Sequence, residues 1–280
     1  MMGKLNYMNQ HFLVDENVSR VMAESAEIEH RETCLEIGPG KGAITKYLAE
    51  SGRKVIGVEI DREMSSYLGP LSGDYPRLRI IYGDFLKTRL PRVDKIVSNV
   101  PFNLTEPLFM KLFDLNFKYA VLLLGERFLD SVDRAHMGDV SSRLGLLASC
   151  HFDIETLMKV DRSSFTPEPS TNARVVGITP LKRNQLLRDP ARYILRDIWK
   201  QKGKPTGHCI RTSLAGLAHA TLNGDSNFSL EAVLDDLDLP GSILRKRVDT
   251  LTNQEIGTLY GRLKNGNVRG KLRRSARRFQ

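Results

Sequence analysis

The sequence has few of the residues that build disulfide-rich, zinc-binding or membrane proteins. It contains three cysteines in 280 residues, an odd number without metal-ligand spacing, so neither disulfides nor a metal site is predicted. No apolar run approaches the roughly 20 residues that span a bilayer. The N-terminus has neither the apolar core of a signal peptide nor an Arg- and Ser-rich transit character. We therefore expect an intracellular, cytoplasmic protein, a monomer with no membrane partner.

Acidic residues are missing from the last part of the chain. The formal net charge is +9, and residues 256–280 contain no Asp or Glu and end in RGKLRRSARRFQ. This distribution favours a polyanionic partner, with nucleic acid ahead of an anionic membrane. A solvated tail without a partner can have the same composition, so charge alone leaves that alternative open.

Short runs rich in β-branched residues alternate with helix-like segments through the first two thirds of the chain. The runs are TCLEI (33–37), KVIGV (54–58), LRII (78–81), VDKIVS (93–98), YAVLLL (119–124) and ARVVGIT (173–179). Such alternation predicts an α/β protein, a Rossmann-like doubly wound parallel sheet with helices on both faces. After residue 180 the pattern becomes helical. We predict a catalytic domain over 1–180, a small C-terminal helical domain over 181–268 and a basic tail over 269–280.

The ends of three predicted strands carry polar residues and glycines that suit a nucleotide-like cofactor. Glu36, Gly38 and Gly40 end the first strand, Glu59 ends the second, and Asp84 follows the third. Glycines let the backbone approach a ligand and leave the N–H groups of the next helix free to bind it. The glycine motif and Glu59 would also fit a dinucleotide-binding dehydrogenase. Glu36, placed for a methionine amino group, and Asp84, placed for an adenine amino group, favour S-adenosylmethionine.

The fourth predicted strand ends in Asn99-Val100-Pro101-Phe102, a pattern typical of enzymes that methylate exocyclic amines of nucleobases. Adenine N6 is a poor nucleophile because its lone pair is delocalised into the ring. The Asn99 side-chain oxygen and a nearby main-chain carbonyl, fixed by the rigid Pro101, can accept both N6 hydrogens and draw the nitrogen towards sp³ geometry. Phe102 would stack on the base, which is worth roughly 1–3 kcal/mol. A simple Asn cap before a Pro-Phe turn is the structural alternative.

With these motifs the chain resembles the ribosomal RNA adenine dimethyltransferases. The likeness extends to about Leu263 and rests on QHFL (10–13), EIGPGKGAIT (36–45), VEID, GDF, NVPFNLTEPL, FTPEP (165–169) and LRKRVDTLTNQEI. QHFL and the last segment are more similar to the archaeal and eukaryotic small-subunit enzymes than to the macrolide-resistance enzymes of the large subunit. The resemblance implies methyl transfer from S-adenosylmethionine to adenine N6 of small-subunit rRNA. Ribosomal RNA or a pre-ribosomal subunit would be the partner.

The resemblance also implies roles for individual residues. Cofactor contacts are expected from His11, Leu13, Gly38, Glu59, Asp84 and Asn99. Asn99 and Phe102 would hold the target adenine, and Phe165 would close over its other face. The predicted RNA contacts come from charge instead: a stripe with four-residue spacing and the tail, namely Arg188, Arg192, Arg196, Lys200, Arg273, Arg274, Arg277 and Arg278. The alternative for the stripe is that it binds no RNA and instead pairs with Asp189 and Asp197 on a solvated helix face.

Departures from the family pattern concern the substrate site. Phe102 stands where Tyr is usual, and LLLGERFLDS keeps only Glu126 of a usual Gln-x-Glu-x-Ala-x-Arg stretch. Thr171 and Ala173 stand where Val and Ser are commoner. Two alternatives therefore stay open: a large-subunit rRNA methyltransferase, and an RNA-binding assembly factor that has kept the fold and lost turnover. The intact NVPF motif favours catalysis.

Overall fold

Nine strands occur in the computed structural model, which describes residues 11–222 and 229–277. In chain order they are β1 (Phe12–Leu13), β2 (Thr33–Ile37), β3 (Lys54–Glu59), β4 (Leu78–Tyr82), β5 (Lys95–Asn99), β6 (Tyr119–Gly125), β7 (Phe152–Val160), β8 (Phe165–Thr166) and β9 (Ala173–Pro180). Seven form one sheet in the order β4-β3-β2-β5-β6-β9-β7, and β1 pairs with β8. The six predicted strands are all present. The structure adds β1, β7 and β8, which the sequence pattern did not reveal.

The large sheet is parallel from β4 to β6. In the middle of β6, Ala120–Leu124 have no exposed surface, as expected of a strand covered on both faces. The last predicted strand, β9, runs antiparallel to β6, so the sheet is mixed rather than wholly parallel. The Rossmann-like fold class is confirmed.

Thirteen helices lie within the described residues. They are α1 (Glu16–Ser25), α2 (Thr45–Glu50), α3 (Ser65–Asp74), α4 (Thr105–Leu112), α5 (Glu126–Met137), α6 (Arg143–His151), α7 (Arg183–Leu186), α8 (Pro190–Lys200), α9 (Thr206–Thr221), α10 (Leu230–Leu237), α11 (Gly241–Arg245), α12 (Asn253–Asn265) and α13 (Val268–Arg277). The predicted capping box of Thr252 and Glu255 begins α12. None of these described helices is both long enough and apolar enough to cross a membrane.

The described chain divides into two units. One contains residues 11–129 and 153–180, and the other contains 130–152 together with the described residues after Pro180. We call the second of these the helical unit and the first the catalytic unit. Residues 130–152 belong to the helical unit, although we predicted them in a domain ending at 180. The physical reason is the packing of α6, which contacts α8 and α12 of that unit.

The expected basic tail is helical up to Arg277. Within α13, Val268 and Leu272 are buried, and the Ser275 hydroxyl accepts a hydrogen bond from the Ser229 amide at 2.7 Å. The high content of Arg and Lys hid a short apolar face at residues 268 and 272, four positions apart. Residues 269–277 are therefore part of the helical unit and contribute to its core, and are not a separate basic tail as predicted.

Candidate active site

A cavity of about 540 Å³ opens at the carboxyl ends of the parallel strands. β2 lies between β3 and β5, so the strand order reverses there, at the position where open α/β sheets bind their ligands. Every residue predicted for the cofactor or the base lines this one cavity: His11, Leu13, Glu36, Gly38, Gly40, Glu59, Asp84, Asn99, Pro101, Phe102 and Phe165. The fold therefore brings together residues that are up to 154 positions apart in the sequence, from 11 to 165.

The glycine loop after β2 owes its shape to two residues with positive φ. Gly38 has φ 67° and Gly40 has φ 57°, in the left-handed region that residues with a Cβ rarely adopt. The Gly38 amide donates to the Val58 carbonyl at 2.9 Å, and the Gly40 amide donates to the Glu59 carboxylate at 2.8 Å. The loop is thus tied to β3, with its backbone exposed to the cavity.

Glu59 and Asp84 are held by backbone amides at the ends of their strands. Glu59 is buried and accepts a second hydrogen bond, from the Asp61 amide at 2.9 Å. Asp84 accepts from the Leu86 amide at 2.9 Å. A carboxylate has about four lone-pair sites, so each can still accept hydrogen bonds from a ligand.

Two exposed apolar side chains at the cavity wall were not identified from the sequence. Ile60, which follows β3, is 45% exposed, and Leu86, which follows Asp84, is 41% exposed. Both line the cavity beside the carboxylates. Their signal in the sequence was only a large apolar residue one or two positions after an acidic residue, which is too common to single out. Together they offer an apolar surface to a flat ring.

Glu36 is the most perturbed acid in the cavity. It is 1% exposed, and its Oε2 atom has no hydrogen-bond partner of ordinary geometry in the described part of the chain. Burial raises the pKa of Glu36 to about 8, against the lowering effect of the Thr45 hydroxyl and with a smaller contribution from the nearby Glu59 carboxylate. A buried carboxyl is stabilised in its ionised form by a cation brought next to it. The site therefore suits a ligand with a positively charged group.

The side chain of Asn99 is oriented by His11, the residue directly before β1. Its Nδ2 group donates a hydrogen bond to the His11 carbonyl at 3.2 Å, so the carbonyl oxygen of the amide, Oδ1, remains available as an acceptor. The next residue is fixed as well, because the Val100 amide donates to the Leu123 carbonyl at 3.2 Å. Pro101 then begins a single turn of 3-10 helix, Phe102–Leu104. These bonds present an acceptor on a rigid strand end.

Two phenylalanines of the predicted base site have different environments. Phe102 is half-buried, and its ring centre lies 6.1 Å from that of His11. Phe165 is only 2% exposed and belongs to the apolar core, where its backbone pairs with Leu13. Phe165 therefore packs as a core residue while one side of it borders the cavity.

The basic stripe around α8 is not a continuous exposed surface. Arg188 and Lys200 are exposed. Arg192 is paired with Asp189 at 3.3 Å, and half-buried Arg196 donates to the Leu181 carbonyl at 2.7 Å. Of the four predicted contacts at the C-terminus, Arg274 is exposed on α13. The structure does not describe the side chains of Arg273 and Arg277, and Arg278 lies outside the described residues.

A second basic surface, which the sequence analysis missed, lies in the helical unit. Segments 202–206 and 245–249 are joined by hydrogen bonds from the Thr206 amide to the Lys246 carbonyl at 2.8 Å and from the Val248 amide to the Lys204 carbonyl at 3.3 Å. We call this pair of segments the basic ribbon. It carries five exposed basic residues: Lys202, Lys204, Arg245, Lys246 and Arg247. The signals were two small clusters, KGK and RKR, about forty positions apart, and only the fold unites them.

The strand order and the cavity at its point of reversal define the class of the protein, a methyltransferase of Rossmann-like fold. Residues 4–223 match the family model of the ribosomal RNA adenine dimethylases, and the chain belongs to this family. The resemblance inferred from the motifs is thereby confirmed.

Individual relatives agree with this assignment. The chain is 34% identical over 236 residues to a protein of Methanopyrus kandleri named as a ribosomal RNA small subunit methyltransferase A, covering 82% of this chain and 84% of the relative. A dimethyladenosine transferase from Plasmodium falciparum has a similar structure, with a TM-score of 0.60, 28% identity and coverage of 91% of this chain and 98% of that one. The 23S rRNA methyltransferase ErmE, with a TM-score of 0.58 and 22% identity over 90% of this chain and 99% of its own, shares the fold.

Proposed function

We propose that the protein transfers methyl groups from S-adenosylmethionine to N6 of adenines in small-subunit ribosomal RNA. The family and the name of the archaeal relative support the reaction and the substrate. The observation that carries the proposal is the orientation of Asn99, whose amide nitrogen is occupied by the His11 carbonyl. Its oxygen is therefore the group offered to a substrate N–H. With rRNA as its substrate, we place the activity in the cytoplasm.

The residues present fit S-adenosylmethionine. Glu36 would hold the charged amino group of its methionine part, because Oε2 of this buried carboxyl has no hydrogen-bond partner within the described residues and a cation would stabilise its ionised form. Glu59 would accept from the ribose hydroxyls, and Asp84 from the adenine amino group. Ile60 and Leu86 would cover the two faces of the adenine ring. When bound, S-adenosylmethionine would supply a methyl group carried on a positively charged sulfur. That sulfur becomes neutral when the methyl group is transferred.

The protein's contribution to the chemistry is to position and polarise the adenine. The Asn99 oxygen would accept one N6 hydrogen, and a main-chain carbonyl of the NVPF turn the other. Both interactions localise the nitrogen lone pair, and a rigid strand end keeps the acceptors in place for in-line transfer. Phe102 would stack on one face of the base and Phe165 would border the other. No strong base is needed, because the proton can leave after the methyl group has been transferred.

We assign RNA binding to the helical unit. The basic ribbon places five exposed basic residues on two hydrogen-bonded segments. Two of them are ion-paired, Lys246 with Glu255 at 2.6 Å and Arg247 with Asp249 at 2.7 Å, so we assign the main phosphate contacts to Lys204 and Arg245. Arg188, Lys200 and Arg274 are exposed and would add phosphate contacts. Arg192 and Arg196 are engaged within the unit itself, so we expect them to stabilise it. Phosphate contacts of this kind position an enzyme on RNA without reading its sequence.

Methylation of isolated ribosomal particles tests the proposed function. Purified protein and labelled S-adenosylmethionine would be incubated separately with small and large subunits that lack adenine N6 methylation, and nucleosides from each rRNA analysed by mass spectrometry. We expect N6-methylated or N6,N6-dimethylated adenosine in the small-subunit RNA. Methylation of the large-subunit RNA alone would favour the macrolide-resistance type of activity. RNA binding without methylation of either would favour an assembly factor.

A further inference from the structure

The ring of Phe102 lies face-on against Gly125. A Cβ atom placed on Gly125 would lie 3.4 Å from Cγ of Phe102 and 3.5 Å from both Cδ1 and Cδ2. Because this point is equally distant from the two Cδ atoms and nearly as close to Cγ, it lies above the face of the ring, not beside its edge. A side chain at position 125 would therefore occupy the space directly beneath the Phe102 ring.

The backbone does not require a glycine at this position. Gly125 is the last residue of β6, pairs with Ala173 of β9, and is not among the residues with positive φ. A glycine within a strand costs stability relative to a side-chain-bearing residue, and it commonly marks a close approach by another group. Here the approaching group is the Phe102 ring. Gly125 therefore lacks a side chain at a point where the Phe102 ring needs room.

The strand that ends in Gly125 is coupled to the strand that carries Asn99. β5 and β6 are parallel neighbours, with Asn99 opposite Leu123, and the Val100 amide bonds to the Leu123 carbonyl. The floor beneath the ring and the acceptor for the adenine amine therefore belong to one hydrogen-bonded piece of the sheet. A change in the floor alters the height of the ring relative to Asn99.

We propose that Gly125 is a positioning residue that sets the plane of Phe102 for stacking on the target adenine. This inference rests on the proposed function, in which Phe102 stacks on the base. A methyl group at position 125 would just reach van der Waals contact with the ring. A γ-carbon would extend about 1.5 Å beyond it, and it would push the ring from its present position towards the place of the base.

A size series at position 125, combined with removal of the ring, tests this role. Gly125→Ala, Gly125→Val and Phe102→Ala would be compared with Gly125→Val/Phe102→Ala. Gly69→Val would serve as the control, because a Cβ on Gly69 meets no atom within 4 Å on the exposed surface of α3. The measurements are kcat and KM for methylation of small-subunit particles, cofactor affinity by calorimetry, and melting temperature. Val is favoured in strands, so the Val variant is suited to fold.

The expected result is a loss of kcat/KM that grows with side-chain size, reaching roughly tenfold or more for Gly125→Val, the scale of one lost stacking contact. Cofactor affinity should be unchanged, and Gly69→Val should retain full activity. In the Phe102→Ala background, Gly125→Val should cause no additional loss, because there is no ring to displace. Full activity of Gly125→Val, or an equal loss with and without the ring, would overturn the inference. Failure of the wild-type protein to methylate adenine would instead overturn the proposed function.

Discussion

The side-chain amide of Asn99 donates to the main-chain carbonyl of His11 over a distance of 3.2 Å. This bond joins the end of β5 to the residue directly before β1, whose Leu13 pairs with Phe165. The N-terminal segment 11–13 thus orients the proposed acceptor and supports one wall of the proposed base site. Because only the nitrogen of the amide can donate to a carbonyl, the bond leaves Oδ1 as the atom of Asn99 that would accept from the substrate in the proposed function.

Replacing Asn99 with Asp should be nearly as damaging as replacing it with Ala. Asp has no N–H for the His11 carbonyl, so one carboxylate oxygen would face another acceptor and turn away. We expect both variants to lose methyl transfer by about a hundredfold or more, the size of effect seen when one oriented transition-state hydrogen bond is removed. Single-turnover assays with labelled cofactor would measure this. RNA affinity should be unchanged in both, and an Asn99→Asp enzyme with near wild-type turnover would contradict the assigned orientation.

Glu36 makes the stability of the unliganded protein fall as the pH rises from mildly acidic to mildly alkaline. Its pKa rises from its ordinary value of 4.5 to about 8 on folding because the carboxyl is buried. The folded state therefore binds this proton more tightly than the unfolded state does, and stability falls as the pH rises from about 4.5 to about 8. Glu36→Gln, which keeps the shape and removes the titration, should be more stable than the wild type above pH 8, by a few kcal/mol. The advantage should vanish near pH 4.

Melting curves of the two proteins between pH 4 and pH 9, without cofactor, check this dependence. A constant difference across the range would show that Glu36 does not titrate as described. The same Gln variant should bind S-adenosylmethionine more weakly, because a neutral amide cannot compensate a bound ammonium group. Unchanged cofactor affinity would remove Glu36 from the cofactor site.

Most strands of the catalytic unit could be predicted from local sequence, whereas the packing of the helical unit could not. The strands that end in Glu36, Glu59 and Asn99 are buried apolar runs followed by special turn residues, so both their type and their functional ends are predictable. The strand β7 was missed because only its two end residues, Phe152 and Val160, are buried, so the strand lacks a regular alternation of apolar and polar positions. The helix α13 was missed for a related reason: only two apolar residues, Val268 and Leu272, are buried among many basic ones, and they are too few to stand out in the sequence.

The base site shows the same limit at the level of single residues. NVPF could be identified from spacing and chemistry alone, but the bond from Asn99 to His11 joins residues 88 positions apart. The contact of Gly125 with Phe102 depends on the register of two strands and has no local signal. Likewise, the stripe Arg188 to Lys200 has regular spacing in the sequence, yet two of its members are used internally.

Phe165 should prove important for both folding and catalysis. It is 2% exposed and packs in the core near Leu13, so Phe165→Ala should destabilise the protein by about 3–5 kcal/mol. Phe165→Leu fills most of the volume but has no aromatic face, and it should cost considerably less. If Phe165 borders the bound base, the Leu variant should still lose activity per folded molecule. Thermal melts combined with kcat/KM at a temperature where both variants are folded separate the two effects. Full activity of the Leu variant would restrict Phe165 to the core.

The two faces of α13 should respond differently to substitution. Leu272 is 1% exposed, and Leu272→Ala is expected to destabilise the helical unit by about 2–5 kcal/mol. Arg274 is exposed on the same helix, and Arg274→Ala should leave the melting temperature nearly unchanged. Deletion of 269–280 should therefore lower stability as well as RNA affinity. A deletion variant with the wild-type melting temperature would contradict the packing of α13.

The final prediction separates the basic ribbon from the stripe. Lys204 and Arg245 are exposed on the ribbon, and replacing both with Gln should weaken RNA binding while leaving the fold intact. Each lost phosphate contact should reduce the slope of log K against log salt by roughly 0.7–0.9. Arg196→Gln is the matched comparison: its guanidinium is half-buried and donates to the Leu181 carbonyl, so this variant should lower the melting temperature and leave the salt slope unchanged. Affinity for small-subunit rRNA fragments, measured over a salt series, distinguishes the two surfaces. An unchanged slope for the ribbon variant, with a reduced slope for Arg196→Gln, would place the RNA on the stripe.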